Sequence, residues 1–237
     1  MTEEEWLVSE NAKEMLQCLQ RQHNVNRRKF GRRKIRLFGC ASCRLLWNAM
    51  VDDRSRSAVE YIERLMEGQA DVTDLSIVRD RALQATIAHG LVRLNELSQL
   101  SRQELQQRHK ATQAAYAITR EIPWSGHAHP AIDTYIGDGD PVARRNWLSE
   151  LRDLSHLLHD IFGNPFRPIT FDPAWLTSTA IQLARGIYDD RAFDRMPILA
   201  DALQDAGCEN ATILDHCRGP GPHARGCFVV DLLLGKG

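Results

Sequence analysis

Apolar positions recur at helical spacing along most of the chain and predict an all-α protein. Trp6, Leu7, Met15, Leu16 and Leu19 mark one or two short helices at the start. Phe38, Leu45, Leu46, Ala49 and Met50 crowd one side of a helix over 35–50. Ala58, Val59, Ile62, Leu65 and Met66 mark the next, closed by Gly68. Leu75, Val78, Leu83, Ile87, Leu91 and Leu94 form a stripe on a helix that Thr73 can cap. Ser101 and Glu104 fit a capping box for a further helix reaching about Thr119.

The pattern breaks over 121–142, where Pro123, Gly126, Pro130, Gly137, Gly139 and Pro141 favour turns. That stretch reads as a loop or linker between an N-terminal helical lobe over 1–120 and a C-terminal helical lobe over 143–237. The alternative is a loop inside one continuous domain. Helical spacing returns with Trp147, Leu148, Leu151, Leu154, Leu157 and Leu158 and stops before Pro165 and Pro168. Asp172 and Pro173 predict the cap and first turn of a helix to Tyr188. Pro197 opens another to Ala206, and a short one runs from Asn210 to Cys217. Phe228 to Leu234 fits a helix or a buried strand; a helix is expected, because nothing else in the chain supplies a partner strand. Trp175, Leu183, Ile187, Leu199, Leu203, Leu214, Val230 and Leu233 should share one C-terminal core. The expected architecture is a multi-helix bundle of two packed helical lobes.

Composition narrows the function classes. With 237 residues the chain can bury a sizeable core without metal or disulfide staples. A net charge of -1 gives no global attraction to polyanions, so nucleic-acid binding would need a local patch. No apolar run approaches the roughly 20 residues that span a bilayer, so no membrane partner is expected. The opening Met1-Thr2-Glu3-Glu4-Glu5-Trp6 is acidic where a signal peptide is basic and then apolar. These features predict a cytoplasmic protein with reduced cysteines, in which clustered thiols favour metal over disulfide.

Candidate chemistry sits at both ends of the chain. Cys40 and Cys43 are three residues apart, on one face of their helix. They fit half of a zinc site or a redox pair, and equally two small buried hydrophobes. His216, Cys217, His223 and Cys227 surround a Gly219-Pro220-Gly221-Pro222 turn. The preferred metal set is Cys40, Cys43, His223 and Cys227 around zinc, with His216 and Cys217 in reserve and Asp231 orienting a histidine. The competing reading makes the cysteines core packing. Arg27, Arg28, Lys29, Arg32, Arg33, Lys34 and Arg36 form the strongest charge bias, a solvated stretch that can also bind a polyanion or protein partner through charge alone. His127 and His129, with Asp133, Asp138 and Asp140 downstream, are a weaker metal candidate.

Two segments resemble a family of uncharacterised bacterial proteins, mainly planctomycete. The first runs through Asp160-Ile161-Phe162-Gly163-Asn164-Pro165-Phe166-Arg167-Pro168, Asp172-Pro173-Ala174-Trp175-Leu176 and Ile187-Tyr188-Asp189-Asp190-Arg191-Ala192-Phe193. It continues through Pro197-Ile198-Leu199-Ala200-Asp201-Ala202-Leu203 and His216-Cys217-Arg218-Gly219-Pro220-Gly221-Pro222-His223 to Arg225-Gly226-Cys227. The second is Met1-Thr2-Glu3 to Trp6-Leu7 with Arg36-Leu37-Phe38-Gly39-Cys40-Ala41-Ser42-Cys43-Arg44, where the family often has a further cysteine at Ser42. The resemblance implies a shape and no activity.

The chain lacks a phosphate loop, a nucleophile elbow, a dinucleotide fingerprint and a two-histidine protease motif. The reading that follows is a helical protein-interaction or adaptor module, with zinc as the one cofactor suggested. The alternatives are a nucleic-acid-binding protein using the basic patch over 27–36, and an enzyme with a Cys/His site. Catalysis and oligomeric state are left open by the sequence.

Overall fold

The computed structural model describes residues 1–92, 102–120 and 141–236, without the side chains of 89–92, 102–103, 141–148 and 150. Among the described residues the chain forms eleven α-helices joined by turns and short 3-10 segments, with no strand. They are α1 (Glu3–Val8), α2 (Ala12–Arg21), α3 (Lys29–Leu45), α4 (Asp53–Met66), α5 (Leu75–Val92), α6 (Arg102–Ile118), α7 (Pro141–Phe162), α8 (Ser178–Asp190), α9 (Met196–Asp205), α10 (Ala211–Arg218) and α11 (Phe228–Leu233). None is long and apolar enough to cross a membrane.

The helices divide into two compact units, Val25–Ser149 and Met1–Asn24 with Glu150–Gly237. The expected linker over 121–142 lies almost wholly outside the described residues, as do Ser101, His127 and His129. The division differs from a simple split into 1–120 and 143–237, because the first 24 residues group with the C-terminal segment. Side-chain contacts explain the grouping. Trp6 is fully buried and its Nε1 donates to the Gly163 carbonyl at 3.0 Å. Glu3 accepts from Asn164 at 2.8 Å and pairs with Arg167 at 2.8 Å. The start of the chain is thereby fastened to the loop after α7.

In the first unit, α3 to α6 pack as a four-helix group, with α3 against α4 and α6, and α5 against the same two. In the second, α9 packs on α8 and α10, and α11 lies against α8. Ile187, Leu199, Leu203, Leu214, Val230 and Leu233 are buried together there, and Trp175 and Leu183 pack against them as partly buried neighbours. The expected C-terminal core is therefore present. The 228–234 ambiguity resolves as a helix, α11.

Several helix bounds differ from expectation. The helix expected over 35–50 is α3, Lys29–Leu45, and Leu45, expected on its apolar side, is 47% exposed because the chain turns away over 46–49. Asp172 and Pro173 begin only a 3-10 turn, Pro173–Trp175, and α8 starts anew where the Thr177 hydroxyl accepts from the Ala180 amide. A fresh side-chain cap outcompetes continuation because it satisfies an otherwise orphaned N–H. Before α5, the capping side chain is Asp71, on the Thr73 amide, instead of Thr73 itself.

Candidate metal centre

Four side chains meet in the second unit: Asp160, His216, His223 and Cys227. One ligand atom from each lies within 4.8 Å of all the others. Three local features deliver them. Asp160 stands in the last turn of α7, one residue from the buried Ile161 that fixes the helix end in the core. His216 stands in the last turn of α10, whose Ile213, Leu214 and Cys217 face the core. Cys227 is the residue before α11, preceded by Gly226 at φ +99°.

The loop between α10 and α11 places His223. Gly221 has φ +79°, and a Cβ there would come within 2.9 Å of the His223 amide nitrogen and 3.4 Å of its ring. A side chain at 221 would thus be strained by its backbone and would press on the imidazole. Phe228 lies against the His216 ring, 4.5 Å between centroids, and also fills the space beside Gly163. The two imidazoles meet edge to face at 4.9 Å.

Asp160 organises the polar contacts. Its Oδ1 accepts from His223 Nδ1 at 2.7 Å and lies 3.1 Å from His216 Nε2, while Oδ2 accepts from the Ala224 amide at 2.9 Å. Burial by itself would raise this carboxyl, but the hydrogen bonds and charge of the two histidines outweigh it and hold its pKa below the ordinary value. His216 Nε2 is also 3.3 Å from Cys227 Sγ. Burial, then the negative charge of Asp160, pushes the Cys227 thiol well above its ordinary pKa. His223 Nε2 is buried with no hydrogen-bond partner. A buried polar atom of this kind costs roughly 1–3 kcal/mol until it finds a partner, and an ion or a water can supply one.

A cysteine, a histidine and an aspartate invite comparison with a nucleophilic triad, and the geometry argues against one. In a triad the base turns one ring nitrogen to the nucleophile and the other to the carboxylate. Here the same atom, His216 Nε2, faces both Cys227 and Asp160. The thiol is also fully buried and disfavours ionisation, the reverse of an activated nucleophile. Convergence of one carboxylate, one thiol and two imidazoles on a point suits a cation better. Two anionic and two neutral ligands neutralise a divalent ion, and metal–ligand bonds of about 2.0–2.3 Å put tetrahedral neighbours roughly 3.3–3.8 Å apart. The 3.1 Å and 3.3 Å contacts of His216 Nε2 are close to that spacing.

Of the residues singled out in the sequence, His223, Cys227 and the reserve His216 belong to this group; Cys40 and Cys43 contribute no ligand to it. Cys40 and Cys43 are buried on α3, in the other unit. The Cys40 thiol lies 3.9 Å from the Val59 carbonyl, and Cys43 is raised by burial first and then by the nearby Glu63. Cys217, the other reserve ligand, is packed in the apolar core and pushed up to about 12 by burial. The carboxylate that orients His223 is Asp160, 63 residues away, where Asp231 was expected. The neighbouring His159 faces Trp6 at 5.5 Å instead.

The seven cations separate into two groups. Arg27, Arg28, Lys29 and Arg32 are exposed. Arg33 pairs with Glu67 at 3.0 Å, Lys34 is buried with its Nζ 4.8 Å over the Phe30 ring, and Arg36 is half-buried. The expectation that all seven face solvent is thereby corrected. α3 begins at Lys29, so Lys34 falls on the buried stripe with Gly31, Ile35 and Phe38.

No protein-family model, curated protein or solved structure matches the chain.

Proposed function

We propose that this chain is a zinc-stabilised helical module that works by binding a partner and not by catalysis. The observation that carries the reading is the convergence of Asp160, His216, His223 and Cys227 within one ion's reach, with an imidazole nitrogen buried and unpartnered. Zinc suits a mixed sulfur, nitrogen and oxygen set of four. The burial favours a structural ion: the side chains of Asp160 and His223 are 2% and 7% exposed, and structural sites are closed whereas catalytic ones keep a position open. An ion there would join Asp160 at the end of α7 to His216, His223 and Cys227 around the consecutive helices α10 and α11, more than fifty residues later in sequence.

The test is elemental analysis of protein purified without added metal. About one zinc per chain is expected, and cobalt(II) exchanged into the site should give a thiolate charge-transfer band that Cys227→Ser removes. Metal-free protein that shows no such band on adding cobalt would end the reading.

A further inference from the structure

We propose that the exposed cations Arg27, Arg28, Lys29 and Arg32 form a binding face for the phosphate backbone of a nucleic-acid duplex, without base reading. This rests on a different region from the metal centre and stands or falls separately from it.

The face is built, not a loose basic tail. The 3-10 turn Val25–Arg27 packs directly on α3 at Gly31, where a Cβ would come within 2.0 Å of the Val25 carbonyl oxygen. Only glycine permits that approach. It holds Arg27 and Arg28 beside the first turn of α3, from which Lys29 and Arg32 project one turn apart. Residues spaced three apart on a helix lie about 5–6 Å from each other at Cβ, a spacing that lets neighbouring cations reach successive phosphates of one strand.

The charges on this face are available. None of the four cations forms an ion pair among the described residues, and the first turn of α3 carries no acidic residue. The adjacent Arg33, by contrast, is already committed to Glu67. Three of the four are arginines, whose planar forks suit bidentate pairing with phosphate oxygens. In a chain of net charge -1, four exposed cations within six residues make a local positive patch.

The same surroundings choose among polyanions. Single-stranded nucleic acid is held largely by stacking on aromatic rings. The face carries a single aromatic, Phe30, 39% exposed with the Lys34 ammonium 4.8 Å over its ring, where a single strand needs a series of rings. Anionic membranes favour a basic face flanked by an inserting apolar stripe; on α3 Ile35, Leu37 and Phe38 are buried, and the exposed Phe30 and Leu45 stand at opposite ends of the helix and form no stripe. A duplex, read as a line of phosphates, remains the occupant that fits.

The experiment is fluorescence anisotropy of the full chain with a labelled 20-base-pair DNA duplex of arbitrary sequence, a single strand of the same length, and vesicles containing acidic lipid. Binding to the duplex is expected, indifferent to sequence, and weakened roughly 10²-fold between 50 and 200 mM salt, as about four phosphate contacts imply. The quadruple variant R27Q/R28Q/K29Q/R32Q should lose it, and Arg28→Glu or Arg32→Glu alone should weaken it about tenfold. R64Q/R81Q, which removes two other exposed cations of the same unit, should bind as the parent does. Circular dichroism should show every variant folded; if the quadruple variant is not, the two single reversals decide. Duplex binding that is absent at 50 mM salt, unchanged in the charge variants, or weaker than binding to the single strand or the vesicles would overturn the proposal.

Discussion

Cys40 and Cys43 on α3 and the segment from His216 to Cys227 look alike in sequence: closely spaced thiols or imidazoles at helical or turn spacing. In the folded chain they are opposites. The α3 thiols are buried, with a backbone carbonyl near Cys40 and the Arg44–Glu63 ion pair near Cys43. Cys227 instead meets two imidazoles and a carboxylate. Ligand spacing is a local property, whereas a metal site needs the remaining ligands to arrive from elsewhere. What separates the regions is the polar partner each receives through space.

The largest difference should come from removing that partner. Asp160→Ala leaves the donors of His223 and Ala224 without their acceptor in a buried setting and should cost about 3–5 kcal/mol by denaturant titration. The matching change near Cys43, Glu63→Ala, releases an Arg44 side chain that is 25% exposed and can rehydrate. It should cost less, about 1–2 kcal/mol. Equal losses would abolish the contrast.

The apolar frame beneath the polar group comes next. Leu203 is fully buried in the C-terminal core, and Leu203→Ala should cost about 2–5 kcal/mol. A loss below half a kcal/mol would mean that α9 does not hold the site. Gly221→Ala should follow at about 1–3 kcal/mol, through its positive φ and its contact with His223, and should lower metal content as well.

The smallest effects sharpen the comparison most. Cys40→Ala and Cys43→Ala should each leave zinc stoichiometry unchanged and cost only about 1 kcal/mol as lost packing. His223→Ala and Cys227→Ser should remove the metal. Chelation should lower the midpoint of thermal unfolding of the parent and of the α3 variants, but not of Cys227→Ser, because an ion stabilises only the protein that binds it.

The helices of this protein were legible because helical periodicity, capping residues and prolines act within a few residues of one another. Leu199 and Leu203 announce the buried face of α9, and Asn210 announces α10 by accepting from the Ile213 amide. His216, His223 and Cys227 were legible as candidates because the Gly-Pro-Gly-Pro turn confines them to twelve residues. Lys34 was misjudged, since its burial depends on where α3 begins, and that start is set by the packing of the turn at Val25 onto Gly31. Asp160 was beyond local reasoning for the same kind of cause. Its pairing with His223 closes a loop of 63 residues, and only the packing of α7, α10 and α11 decides that the two meet. Sequence alone determined that the chain is helical and where most helices lie, because periodicity and caps are short-range properties, but not every apolar face: Leu45 and Ile87, expected on apolar sides, are 47% and 53% exposed. Tertiary structure alone decided which polar residues share a site, because burial forces a carboxylate to find its donors wherever the fold supplies them.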